Sequence, residues 1–74
     1  MSPLGVTGKQ LTKVAKSIGF EFDRKTGSHE VYYRESDKRR VVIQVHAGKT
    51  LKPKTLAAIV RDMGLTMEEL AKLV

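Results

Sequence analysis

Apolar residues recur at two different periods along this 74-residue chain, and the switches between them mark out its elements. Leu11, Val14, Ala15 and Ile18 repeat at helical spacing and form one stripe. Thr7, with Gln10 three residues on, makes a capping box ahead of that stripe, and Gly19 suits the position just past the helix end. Over residues 20–25, Phe20 and Phe22 alternate with Glu21 and Asp23, the period of a half-buried strand. Residues 28–34 alternate again, with Val31 and Tyr33 on one face and Glu30, Tyr32 and Arg34 on the other. That parity predicts Tyr33 as the core tyrosine. Thr26-Gly27 is the expected turn between these strands, since glycine takes positive φ without steric cost. The polar run 35–38 reads as a turn. A third strand, from 39 or 40 to 45, sets Val41, Ile43 and Val45 on one face.

Residues 46–52 carry little periodicity and read as a loop. Pro53 suits the first turn of a helix. Leu56, Ile59, Val60 and Met63 form its stripe, and Gly64 closes it. Thr66 with Glu69 is a second capping box, opening a short last helix with Leu70, Leu73 and Val74. Residues 1–6 show no periodicity and are expected to be a loose lead-in to a single domain spanning 1–74. The predicted order is α-β-β-β-α with a short C-terminal helix. Short connections predict an antiparallel meander, and its apolar face must be covered by the helices. The expected fold is an α+β two-layer sandwich, similar in order to a double-stranded-RNA-binding domain.

Charge changes the picture. Lys and Arg total 14 against 8 Asp and Glu, a net charge of +6. On so short a chain this favours a polyanionic partner, nucleic acid being the commonest. Lys9, Lys13 and Lys16 share a helix face away from the apolar stripe, which suits either solvent or phosphate. The chain has no cysteine, so disulfides and thiolate metal sites are excluded. No apolar run approaches a membrane span and no signal-peptide pattern opens the chain, so a soluble cytoplasmic protein is expected. No phosphate-binding glycine loop, nucleophile elbow or dinucleotide fingerprint occurs. Two histidines, without zinc-motif spacing, give no expected metal site and no cofactor.

The candidate chemistry centres on Gly27-Ser28-His29. A histidine just past a tight turn is held yet reachable, and histidine is the side chain best suited to moving protons near neutral pH. A lone strand histidine is more often structural than catalytic, so the triplet alone decides nothing. His46 follows the third strand and either caps it or offers a second acid–base or substrate contact.

Gly19-Phe20-Glu21, Arg24 and Gly27-Ser28-His29 resemble the front half of the HicA (YcfA-like) toxins. Val45-His46, Gly48-Lys49, Leu51, Pro53, Thr55-Leu56, Ile59, Gly64-Leu65-Thr66 and Glu68-Glu69 resemble their back half. The resemblance runs in register from about Lys9 to the last residue. It implies a small messenger-RNA-cleaving toxin of a toxin–antitoxin pair, with the double-stranded-RNA-binding-like fold. It also implies a catalytic histidine at His29 and a HicB-type antitoxin that covers it. Glu30 departs from the neutral or basic residue common there, but strand alternation should turn it away from His29.

RNA cleavage needs no external nucleophile, because the ribose 2′-OH can attack the adjacent phosphorus. His29 is then the general base or acid, and Lys49, Lys52 and Lys54 are the expected RNA contacts. Ser28 and His46 are further RNA-binding candidates, and Ser28 and Tyr32 could orient groups by hydrogen bonds. The competing reading is a non-catalytic RNA-binding module of the same fold, which fold alone does not separate from a nuclease.

Overall fold

A computed structural model describes residues 5–74. Its elements run α1 (Gly8–Ser17), β1 (Glu21–Thr26), β2 (His29–Arg34), β3 (Arg39–Gln44), α2 (Pro53–Asp62) and α3 (Met67–Leu73). The strands form one antiparallel sheet in the order β1-β2-β3. The expected α+β order is the observed one.

Local chemistry sets the helix ends. Thr7 accepts from the Gln10 amide at 3.1 Å, while the Gln10 side chain accepts from the Thr7 amide at 2.9 Å. Thr66 and Glu69 repeat this box ahead of α3. At the end of α1, Gly19 (φ +100) lets its own amide bond the Lys16 carbonyl and lets the Phe20 amide reach Ala15. Gly64 (φ +82) closes α2 with the same pair of bonds, Gly64 to Arg61 and Leu65 to Val60. Both are complete Schellman closures, which consume carbonyls that a helix end leaves unpaired.

The core joins Leu11, Val14 and Ala15 of α1 to Leu56, Ile59 and Val60 of α2, Leu70 of α3 and one face of the sheet. That face is Tyr32, Val41 and Ile43, so the helices cover one side of the sheet. Burying a side chain of this size contributes roughly 1.5–3 kcal/mol before the entropy cost.

Several strand expectations are corrected here. Tyr32, only 2% exposed, is the core tyrosine, and Tyr33 is half-buried on the opposite, open face. The four-residue connection 35–38 pairs Arg34 with Arg39, and so Tyr32 with Val41 and Glu30 with Ile43. With Val41 and Ile43 inward, the even positions of β2 must also be inward. The Tyr32 hydroxyl stays satisfied by donating to Glu30 Oε1 at 2.8 Å. Burial first, then the Glu30 hydrogen bond and charge, push the Tyr32 hydroxyl up to about 12, against a smaller opposing effect of Thr12.

Phe22 is 53% exposed rather than half-buried: it pairs with Tyr32 on the helix side of the sheet, but on the edge strand β1. Its ring meets that of Tyr32 edge to face, with centroids 5.7 Å apart. Phe20 lies before β1, in the core, as the residue after the Gly19 closure. The lead-in is not wholly loose: Val6 is buried and its carbonyl accepts from Leu51. Residues 1–4 of that expectation lie outside the described residues. No helix among the described residues is long and apolar enough to cross a membrane.

Arg34 ties the layers together at one end of the sheet. It donates to the Ile18 carbonyl at 2.9 Å and the Met63 carbonyl at 3.3 Å, the two residues where α1 and α2 end. Its guanidinium lies 4.5 Å from the Phe20 ring centroid and pairs with Asp37 through two bonds. The Arg34 hydrogen bond and charge, helped by Arg39, hold the Asp37 carboxyl down to about 2 against the opposing effect of burial.

Candidate active site

The opposite end of the sheet gathers the candidate residues. Thr26 pairs with His29, so the β1–β2 turn is Gly27-Ser28, one residue later than expected, and Ser28 belongs to the turn rather than the strand. Gly27 has φ +59, and a glycine of positive φ at the first central position is the pattern of a type II′ hairpin. His29 is therefore the first residue of β2, exposed and on the open face, with Thr26 on one side and Gln44 on the other.

Pairing continues one step past β3: the Val45 amide donates to the Ser28 carbonyl at 2.7 Å. That step carries His46 to the same hairpin, where Ser28 Oγ and His46 Nε2 lie 3.3 Å apart. The His46 carbonyl accepts from the Lys49 amide at 3.0 Å, turning the chain back. Leu51 bonds Val6 at 2.8 Å and Thr50 bridges to Thr7, which anchors the loop on the residues leading into α1. Lys52 is extended and Pro53 opens α2.

Between these segments lies a hollow of about 370 Å³, lined by Gln44, His46, Lys49, Thr50, Leu51, Lys52 and Thr55. No acidic residue lines it. α2 begins with no capping side chain and no acid in its first turn, so its positive dipole end is left uncompensated beside Lys49 and Lys52. Such an arrangement suits an anion. A second hollow, about 410 Å³, lies at the Arg34 end, but Glu21, Asp23 and Glu35 line it and would repel phosphate.

Of the sequence candidates, Ser28, His46, Lys49 and Lys52 come together around or beside the first hollow. His29 does not line it, although its cross-strand neighbour Gln44 does. Lys54 is exposed in the first turn of α2, outside the lining. Tyr32 points to the helices, on the opposite face from His29, and cannot orient groups there. Glu30 also faces the helices, bonded to Tyr32, as strand alternation requires. Lys9, Lys13 and Lys16 are exposed on α1 and take no part in the hollow. Sequence reasoning missed Gln44 and the Ser28–His46 contact; only the hairpin register signals either. Among the described residues, no group of three or more His, Asp or Glu side chains is placed to hold a metal ion.

The family model described as HicA toxin of bacterial toxin-antitoxin matches residues 8–65. Among curated protein sequences no match was found. The matched span holds every element from α1 to α2, the hairpin bearing His29 and the loop bearing His46. The chain belongs to the HicA toxin family of bacterial toxin–antitoxin systems.

Proposed function

We propose that this toxin is a cytoplasmic endoribonuclease that cleaves messenger RNA and is silenced by a HicB-type antitoxin. The supporting observation is the acid-free, lysine-lined hollow that meets, at Gln44, the strand position bearing an exposed histidine. In the proposed reaction, His29 takes the proton of the ribose 2′-OH as its oxygen bonds to the adjacent phosphorus. The bond from phosphorus to the 5′-oxygen breaks, and that oxygen leaves with a proton. Lys49 and Lys52, with the first amides of α2, offset charge on the phosphoryl oxygens. His46, held near Ser28, is the candidate donor to the leaving oxygen. The products are a 2′,3′-cyclic phosphate and a 5′-hydroxyl. The antitoxin, on this reading, covers His29.

The test incubates purified protein with RNA in the presence of a chelator and identifies the product ends. Cyclic phosphate ends, with DNA intact, are expected; cleavage of DNA or strict dependence on magnesium refutes the mechanism. His29→Ala should lower cleavage by roughly 10²–10⁴-fold while RNA binding persists. An exposed substitution of this kind usually changes stability within about 0.5 kcal/mol. Lys49→Ala with Lys52→Ala should make the slope of log affinity against log salt shallower by roughly 1 to 2. RNA that is bound but never cut, by parent and variant alike, leaves a non-catalytic RNA-binding module.

A further inference from the structure

The open face of the sheet is a lattice of side chains in three rows. Thr26, His29 and Gln44 form the row at the hairpin turn; Arg24, Val31 and Val42 form the middle row; Glu21, Tyr33 and Arg40 form the last. Among the described residues, no helix covers this face. Val42 is 44% exposed, and Arg24, Arg40 and Gln44 are all exposed. The Arg40 guanidinium lies over the Tyr33 ring, 5.3 Å from its centroid, a cation–π contact on the open face. That surface stands on the same face and the same strand as His29. Four residues at about 3.3 Å each separate them, roughly 13 Å, a span that a few nucleotides bridge.

We infer that the open face, through Tyr33 and Arg40, is a stacking platform for unpaired bases that leads single-stranded RNA to His29. The inference rests on the nuclease reading above and names its substrate class. A planar guanidinium seated on an aromatic ring accepts the face of any base, and it needs that base out of a duplex. Val42, exposed in the middle row, offers the intervening apolar contact, and the Gln44 amide stands beside His29 where it can bond a base edge. Arg24 and Arg40 give the face its positive charge, although Arg24 is paired with Asp23 at 3.0 Å. Glu21, on the far side of Tyr33, keeps phosphates off β1 and confines the path to the β2–β3 half. A duplex cannot present its bases to this surface, so single strands are selected.

The test uses the full chain in the His29→Ala background, where slowed cleavage should let binding be read, and a short labelled single-stranded RNA of mixed sequence. Tyr33→Leu should weaken binding by about 5- to 150-fold, the range of one lost stack, while Tyr33→Phe stays within about two-fold. Arg40→Gln, at an exposed position, should weaken binding by about 2- to 30-fold and cannot be dismissed as unfolding. The same RNA annealed to its complement should bind more weakly than the single strand. In the parent background, Tyr33→Leu and Arg40→Gln should raise KM for single-stranded RNA more than they lower kcat. Equal or tighter binding of the duplex overturns the platform. So does unchanged affinity and KM in both variants while the parent cleaves RNA: that result leaves the nuclease standing and gives this face to a protein partner. Single-strand binding that needs Tyr33 in a parent that never cuts supports the platform and refutes the nuclease.

Discussion

Gly8→Ala should reverse the usual sign of a glycine-to-alanine change in a helix. Gly8 is the first residue of α1, and elsewhere in a helix alanine is favoured over glycine by up to about 1 kcal/mol. Here a Cβ would stand 2.0 Å from the Gln44 carbonyl oxygen and 3.0 Å from Val45 Cα. A carbon normally approaches a carbonyl oxygen no closer than about 3.3 Å, so α1 or the end of β3 must retreat by more than 1 Å or so. Both are backbone, and neither can swing aside as a side chain would. Overpacking of this kind costs about 1–3 kcal/mol, enough to outweigh the propensity gain. With a urea slope near 1 kcal/mol/M for a small domain, the unfolding midpoint should fall by about 1–3 M. Lys13→Ala, exposed on the same helix, is the control and should hardly move it. The displaced segment lies beside the Val45–Ser28 hydrogen bond, so the His46 imidazole resonances should shift too. A midpoint that rises or stays put in Gly8→Ala would refute the close approach.

Arg34→Met keeps an apolar stem but removes the bonds to the Ile18 and Met63 carbonyls, each from a charged donor. With loss of the stacking on Phe20 it should cost about 2–4 kcal/mol, read as a lower urea midpoint with the hairpin at His29 unchanged. Asp37 is an acid whose folded pKa, about 2, lies below its unfolded value. Its contribution is therefore full above the unfolded pKa near 3.9 and is lost as pH falls through about 2. Asp37→Asn should flatten the urea midpoint against pH in that window, and an equally steep fall in the variant would place the titrating group elsewhere.

What could be read in the sequence is what local chemistry decides. Both capping boxes and both glycine closures involve partners within five residues, so a short window contains the whole interaction. The stripe of α2 is equally local. The faces of the strands are not. Tyr32 and Tyr33 are adjacent and equally apolar, and which one faces inward follows from pairing with β3 across the 35–38 turn. Phe22 misled because it takes the inward face on an edge strand, where facing inward does not by itself bury a side chain. Gly8 looks like an ordinary helix-start glycine until Gln44 and Val45 are brought against it. The candidate site was partly visible: His29 through the resemblance of its triplet, Lys49 and Lys52 through charge beside Pro53. Gln44, and the meeting of Ser28 with His46 across 18 residues, needed the register.

The same distinction separates residues that hold the site from residues that fill it. His46, Lys49 and Lys52 stand on a loop, where mobility is the default, yet that loop is fixed through main-chain groups: Val45 to Ser28, Lys49 to His46, Leu51 to Val6, and the bridge of Thr50 to Thr7. None of these bonds uses the side chain of a proposed catalytic or RNA-binding residue. The scaffold therefore tolerates replacement of His29, His46, Lys49 or Lys52, and what such variants lose can be assigned to chemistry or charge. Gly8 and Arg34 are the converse case, where the replaced atoms are themselves part of the packing. Cleavage lost at an unchanged urea midpoint and cleavage lost together with the midpoint are thus different signatures. His29→Ala must give the first and Gly8→Ala the second. A His29→Ala protein that loses its urea midpoint together with cleavage would mean that its ring, exposed as it is, belongs to the scaffold.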